Sequence, residues 1–169
     1  MNGSPARYVL DANVFIEAAR RYYAFDIVLS FWQALVDQAK SDRVLSIDRV
    51  KAEIDRGADA LKDWANNDFH EWFVPTDQAD VIEAYRQIMA WVHSQAQFTN
   101  AAKATFSRAE NADAWLVAYA LAKGCMIVTH EQFDQDVRSR IPIPNVCQAF
   151  GVRYVDTFQM LRDLGAKIG

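Results

Sequence analysis

Four carboxylates are the residues of this chain most able to do chemistry, because they recur beside short apolar runs. They are Asp11, Glu53, Asp113 and Glu131. Asp11 directly follows the run Tyr8–Leu10, and Glu131 comes two residues after the run Met126–Thr129. Four carboxylates brought together repel one another and raise one another's pKa unless a cation neutralises them. Oxygen ligands select hard cations, so the pattern indicates a site for one or two Mg²⁺ or Mn²⁺ ions. Such ions can activate a water, hold a phosphate and stabilise the leaving oxygen of an in-line displacement.

Each acid also has an ordinary structural interpretation. Asp11 is typical of a helix cap or a turn, and Glu53 is typical of the solvated face of a helix. Asp113 is placed to favour the dipole of the helix that it begins, and Glu131 belongs to an acidic loop. Arg108 precedes Asp113 and is a candidate partner for its charge. The joint pattern, and not any single acid, therefore carries the prediction of a metal site.

The acids are positioned by short apolar segments that alternate with segments of helical spacing. The predicted strands are Tyr8–Leu10, Arg43–Ile47, Trp72–Pro75, Met126–Thr129 and Arg153–Val155. The first predicted helix begins at Val14. The other predicted helices cover Ile27–Ala39, the segment with Val50 and Ile54, Ala58–Asn66, Asp77–Gln95, Ala114–Ala122, and the segment from Asp156 to Leu164. This alternation predicts one α/β domain over residues 1–169, with a central, mostly parallel sheet of four to five strands flanked by helices on both faces. Ligands of such sheets collect beyond the carboxyl ends of the strands, where Asp11 and Glu131 fall.

The composition narrows the class of protein. The 169 residues carry a formal net charge of −4, which argues against broad electrostatic capture of nucleic acid. An enzyme that meets nucleic acid through bound cations is still compatible with this charge. Cys125 and Cys147 form no metal-binding motif and are expected as small buried hydrophobes, while His70, His93 and His130 are expected at the surface. No apolar run reaches the length of a membrane span and no signal peptide opens the sequence, so we expect a cytoplasmic protein away from membranes.

Four sequence blocks carry a resemblance to a known family. They are Leu10-Asp11-Ala12-Asn13-Val14-Phe15-Ile16, Ser46-Ile47-Asp48-Arg49-Val50-Lys51-Ala52-Glu53-Ile54, Asn111-Ala112-Asp113-Ala114-Trp115-Leu116-Val117-Ala118-Tyr119-Ala120 and Val128-Thr129-His130-Glu131. Their order and spacing resemble those of PIN-domain nucleases over nearly the whole chain, and the chain looks like a larger bacterial member similar to VapC-type toxins. The fourth acid departs from the family, because Glu131 stands where Asp is commoner. Its extra methylene is expected to loosen one side of the metal site.

The resemblance implies a PIN-like fold and metal-dependent hydrolysis of phosphodiester bonds, often in RNA. By this resemblance Asp11, Glu53, Asp113 and Glu131 are catalytic and hold the Mg²⁺ or Mn²⁺. Asn13, Thr129 and Ser46 are then expected to orient ligands or water from behind the acids. Many bacterial members are toxins controlled by an antitoxin, so an RNA substrate and an antitoxin are the expected partners, and a homodimer is the expected assembly.

Other interpretations and the substrate contacts stay open at this level. Arg20, Arg21, Lys103 and Arg108 are candidate substrate-binding residues, since basic and aromatic side chains together suit single-stranded nucleic acid. A catalytically inactive PIN-like nucleic-acid-binding module and a structure-specific DNA nuclease are the alternatives. A signalling receiver domain also has a small acidic α/β fold with a Mg²⁺ site. It is disfavoured because the strand that ends at Thr129 is followed by His130 and not by the required lysine.

Overall fold

The middle strand of the sheet, β1 (Tyr8–Leu10), leads directly to the first acid. In this computed structural model, which describes residues 5–57 and 59–168, the strands lie in the order β3-β2-β1-β4-β5. The other strands are β2 (Val44–Ile47), β3 (Phe73–Val74), β4 (Met126–Val128) and β5 (Tyr154–Val155). All four neighbouring pairs are parallel, so the carboxyl ends of the strands share one edge of the sheet. The α/β class and the parallel five-stranded sheet confirm the prediction.

The central strands are apolar along their whole length because helices flank the sheet. Every residue of β1 and β2 is buried, as strands covered on both faces must be. The helices are α1 (Ala12–Glu17), α2 (Leu29–Lys40), α3 (Asp48–Asp55), α4 (Ala60–Asn67), α5 (Ala79–Ser94), α6 (Asn100–Phe106), α7 (Ala112–Lys123), α8 (Ile143–Phe150) and α9 (Thr157–Leu164). A π-helical turn, Ala18–Tyr22, extends α1, and a 3-10 turn, His70–Trp72, precedes β3.

Most elements lie where the sequence predicts them, and the differences have local causes. The helix predicted at Ala58–Asn66 begins at Ala60, while Ala58 lies outside the described residues. The strand predicted at Trp72–Pro75 is reduced to the edge pair Phe73–Val74, since proline cannot donate to the ladder. Neither α6 nor α8 was predicted. α8 begins with Ile143-Pro144, and proline is tolerated in the first turn of a helix, where its missing N–H is not needed.

An aromatic cluster fixes the helix that follows the first acid. Phe15 of α1 is fully buried, and its ring lies 5.8 Å from those of Phe69 and Phe73 and 6.0 Å from that of Trp64. Rings at these separations pack favourably beyond their burial alone. The cluster therefore holds α1 rigidly at the point where β1 delivers Asp11.

Two further expectations concern residues away from the sheet edge. Cys125 and Cys147 are both buried free thiols, as predicted. Among residues 5–57 and 59–168, no helix has both the length and the apolarity needed to cross a membrane.

Candidate metal centre

Asp11 lies at the carboxyl end of β1, with 3% of its surface exposed. Its backbone N–H donates to the carbonyl of Val128 at 3.0 Å, which continues the β1–β4 ladder by one residue. Asp11 occupies the N-cap position of α1, but its side chain forms no capping hydrogen bond. Instead its Oδ2 accepts from the hydroxyl of Thr129 at 3.0 Å. The carboxylate is thus held by the neighbouring strand end, and the capping role does not explain it.

Asp113 lies in the first turn of α7, where a different residue performs the capping. The side chain of Asn111 accepts from the Asp113 N–H at 2.9 Å, so the helix start is satisfied without the Asp113 carboxylate. Asp113 takes part in none of the salt bridges among the described residues, and Arg108 is exposed. Burial, followed by the charges of Asp11, Glu131 and Glu53, raises the pKa of Asp113 to about 8. This carboxylate therefore lies in a site that disfavours its charge.

Glu53 reaches the same region from α3, which packs against α7. Its side chain is half-buried, unlike a solvated helix acid, and burial raises its pKa. The backbone N–H of Ala112 and the charge of Arg56 offset part of this rise. Within the same helix Lys51 pairs with Asp55 at 2.6 Å, so the nearest lysine is engaged elsewhere.

The Glu131 carboxylate accepts a backbone hydrogen bond in addition to carrying a charge. Its Oε1 accepts from the N–H of Ile143 at 3.0 Å, at the beginning of α8. Its own N–H donates to the hydroxyl oxygen of Thr129 at 3.2 Å. The Thr129 hydroxyl therefore links the two acids, because it accepts from the Glu131 N–H and donates to the Asp11 carboxylate. Glu131 both contributes a negative charge to the site and ties α8 to the end of β4.

The four acids form one electrostatic group. Burial is the main cause that raises the pKa of Asp11 to about 7, and the charges of Glu131 and Glu53 add to it. The charge of Asp11 is in turn among the causes that raise the pKa of Asp113. Mutually repelling carboxylates, of which Asp11 and Asp113 enter no salt bridge among the described residues, are the donor set that a hard divalent cation would neutralise. The residues present therefore fit Mg²⁺ or Mn²⁺.

The four acids influence one another electrostatically, but their side chains do not surround a common point. In residues 5–57 and 59–168, no three His, Cys, Asp or Glu side chains already stand at the separations of metal ligands. Like charges are expected to keep apart when no cation is between them, and Glu131 is also drawn toward the start of α8 by Ile143. Ion binding would therefore require these side chains to move closer together.

The three residues predicted to support the acids have different surroundings. Thr129 is buried and contacts Asp11 directly. Ser46 is also buried, and its hydroxyl donates to the carbonyl of Leu10 at 2.6 Å, which fixes the end of β1 immediately before Asp11. Asn13 is exposed in the first turn of α1. Thr129 and Ser46 thus act on the position of Asp11, while Asn13 faces solvent beside it.

His130, expected at the surface, is instead partly buried. Its side chain is only 23% exposed. One ring nitrogen, Nδ1, lies 2.8 Å from Glu17 Oε2, and the other, Nε2, lies 2.6 Å from the hydroxyl of Thr157. His130 therefore joins the end of β4 to α1 and α9. Its position next to Glu131 was the only signal in the sequence, and it does not reveal partners so distant along the chain.

The basic residues predicted to bind substrate are not equally placed. Arg21 lies in the π-helical turn and lines a cavity of about 720 Å³ together with Thr129 and Glu131. Arg20 is exposed in the same turn, and Arg108 is exposed before α7. Lys103 is half-buried and its Nζ donates to the carbonyl of His93 at 3.3 Å. Of these four, only Arg21 lines the cavity that also contains Glu131.

The metal-free protein is expected to lose stability as the pH rises from about 5 to about 8. An unfolded Asp ionises near 3.8, whereas folded Asp11 and Asp113 keep their protons to about 7 and about 8. The folded state then binds more protons than the unfolded state, so the free energy of unfolding falls with rising pH. Each group contributes at most about 1.4 kcal/mol per pH unit. Urea unfolding in EDTA across this range measures the slope. An equal slope in Asp113→Asn would contradict the assignment.

Comparison with known proteins supports the fold. No protein of curated function matches the sequence. A structure of VapBC2 from Rickettsia felis, bound to a DNA fragment from its promoter, is similar at a TM-score of 0.54 and 14% identity, with 88% of this chain and 97% of that chain covered. A structure of FitAcB from Neisseria gonorrhoeae is similar at a TM-score of 0.51 and 15% identity, with 87% and 95% covered. These similarities show the PIN-like fold that the four sequence blocks predict.

A family match extends over almost all of the chain. The family is described as Domain of unknown function (DUF4411), and it matches residues 8–168. This range contains all five strands and all four acids of the candidate centre. The chain therefore belongs to the DUF4411 family.

Proposed function

We propose that this protein is a metal-dependent endoribonuclease that serves as the toxin of a toxin–antitoxin pair. The observation that carries the proposal is the group of four carboxylates at the carboxyl edge of the parallel sheet. Two of them, Asp11 and Asp113, have pKa values raised to about 7 and about 8 and lie in no salt bridge among the described residues. Strongly perturbed carboxylates gathered at the ligand-binding edge of an α/β sheet are typical of a functional site.

In this proposal Asp11, Asp113, Glu53 and Glu131 hold one or two Mg²⁺ or Mn²⁺ ions. When bound, such ions supply charge neutralisation for a phosphodiester and activate water for in-line attack. Other residues of the chain hold these acids in position. Thr129 holds the Asp11 carboxylate from behind, and Ser46 fixes the backbone that precedes it.

An antitoxin and an RNA substrate both enter the proposal by similarity. The two similar structures are of VapBC2 and FitAcB, and the four sequence blocks resemble those of PIN-domain toxins, so a partner antitoxin and a toxin homodimer are carried over as proposals. RNA is preferred as substrate because of the same resemblance. A DNA substrate is the alternative outcome of the test.

Cleavage of RNA is expected to require Mn²⁺ or Mg²⁺ and to stop in excess EDTA. Without a cation, the charges of the acids repel the phosphodiester, and nothing positive stabilises the leaving oxygen. The measurement incubates the protein with end-labelled single-stranded RNA in Mn²⁺, in Mg²⁺ and in EDTA, and adds Mn²⁺ back to the chelated sample.

The same oligonucleotide made as DNA distinguishes the two nuclease alternatives. Cleavage that persists in EDTA would rule out the metal-dependent mechanism. Binding of RNA without cleavage under any metal would instead identify an inactive binding module.

A further inference from the structure

The cavity beside the acids has exposed aromatic side chains that the proposed chemistry does not use. Three of the large apolar side chains that remain exposed on the protein line it, namely Tyr22 (53% exposed), Phe133 (41%) and Phe158 (48%). They come from three separate elements, the π-helical turn, the loop after β4 and helix α9. Exposed rings that converge from distant parts of a chain are costly to leave in water, and such clusters mark binding surfaces.

These rings differ from the aromatic residues that build the core. The neighbour of Tyr22, Tyr23, stacks on Phe31 with ring centroids 4.4 Å apart and is therefore engaged in packing. Tyr22 forms only a looser, tilted pair with Tyr23, with centroids 6.4 Å apart. Phe133 and Phe158 take part in none of the ring pairs found among the described residues. Their faces are available to a ligand.

The acids of the cavity wall are already bonded within the protein. Glu17 pairs with His130 at 2.8 Å, Asp156 caps α9 by accepting from the Gln159 N–H at 2.8 Å, and Glu131 accepts from Ile143. Arg21, by contrast, enters no salt bridge in the part of the chain that the structure describes. Arg21 and the three exposed rings therefore remain open to a ligand in this wall, beside the three bonded acids.

Single-stranded nucleic acid has the groups that would bind a cation beside exposed ring faces. Bases stack on aromatic side chains, and an arginine binds the phosphate between them. A base within a duplex has its faces covered by its neighbours and cannot enter such a cavity. The cavity is lined by Glu131, one of the four acids, and by Thr129, the hydrogen-bond partner of Asp11, so it adjoins the acid group.

We propose that this cavity binds an unstacked nucleobase of single-stranded RNA, adjoining the phosphodiester that the acids address. Tyr22, Phe133 and Phe158 supply the stacking faces, and Arg21 contacts the neighbouring phosphate. This inference rests on the proposed function and gives it a substrate class, RNA whose bases are unpaired next to the cleavage site.

Binding of RNA to ring variants tests the inference. All proteins carry Asp113→Asn, which removes one carboxylate expected to be essential for cleavage, so that binding is measured without hydrolysis. Fluorescence anisotropy with an unstructured, labelled RNA of about 12 nucleotides is expected to show roughly tenfold weaker binding for Phe133→Leu and for Phe158→Leu, the scale of one lost base stack. Phe158→Trp is expected to keep the affinity, because it keeps a ring. The same RNA annealed to its complement is expected to bind at least about tenfold more weakly.

The matched control is Leu29→Ala, since Leu29 is an exposed apolar residue (67%) outside the cavity. Its affinity for RNA is expected to equal that of the background protein. Unchanged affinity in both leucine variants would overturn the inference and indicate an apolar groove for a protein segment, which leucine serves as well as phenylalanine. Such a result leaves cleavage by the parent protein intact. Ring-dependent binding without any cleavage by the parent would instead overturn the proposed nuclease and keep the base site.

Discussion

Asp11→Asn and Asp113→Asn are each expected to lower the rate of RNA cleavage by at least about 10²-fold. That is the scale of removing one key electrostatic contributor from an active site. Both substitutions keep the size of the side chain and remove the charge that would hold a cation. Asp11 is buried at the end of β1 and Asp113 begins α7, so each approaches the centre from a different element. Initial rates with labelled RNA in saturating Mn²⁺ measure the effect.

Asp80→Asn is a matched control for the Asp113 substitution. Asp80 and Asp113 are both the second residue of their helices, but Asp80 is exposed and pairs with Lys123 at 2.8 Å. Its substitution is expected to leave cleavage unchanged. Glu131→Ala is expected to reduce cleavage less than either aspartate variant, because its longer side chain is partly engaged with Ile143. Full activity in Asp11→Asn would place the metal site elsewhere.

Asp113→Asn is expected to raise the melting temperature in EDTA and to remove most of the further rise on adding Mn²⁺. The effect is largest at about pH 9, above the Asp113 pKa of about 8, where the carboxylate is charged and repels its neighbours. A metal that binds only the folded state adds roughly 2.7 kcal/mol at a hundredfold excess over Kd. For a domain of this size the parent's melting temperature should then increase by about 5–10 °C.

The sign of the change in EDTA separates the two roles of Asp113. If Asp113 only favours the helix dipole, its neutralisation lowers the stability of the protein by about 0.3–1 kcal/mol, with or without metal. If Asp113 belongs to a group of repelling acids, its neutralisation makes the protein more stable in EDTA and removes the response to Mn²⁺. Asp80→Asn again serves as the control, since it removes the bond to Lys123 and leaves the acid group unchanged. A less stable Asp113→Asn protein with a normal Mn²⁺ response would contradict the metal site.

The sequence by itself determined the sheet and the position of Asp11 at its carboxyl edge. Short apolar runs such as Tyr8–Leu10 can be buried on both faces only as strands between helices, and helical spacing between the runs imposes parallel crossovers. Parallel strands end at one edge, so the local position of Asp11 directly after its run already places it there. These properties depend on neighbouring residues, and a pattern read along the chain therefore contains them.

Contacts between distant segments were decided only by the tertiary structure. His130 meets Glu17 and Thr157, which lie 113 and 27 residues away, and no periodicity records such pairs. The bond from Ile143 to Glu131 likewise depends on where α8 lies, and Pro142 and Pro144 at its start obscure that helix in the sequence. The cavity lined by Tyr22, Phe133 and Phe158 joins three elements in the same way. Local patterns determine which faces of the elements must be buried, whereas the side chains that meet at the sheet edge depend on how every element packs.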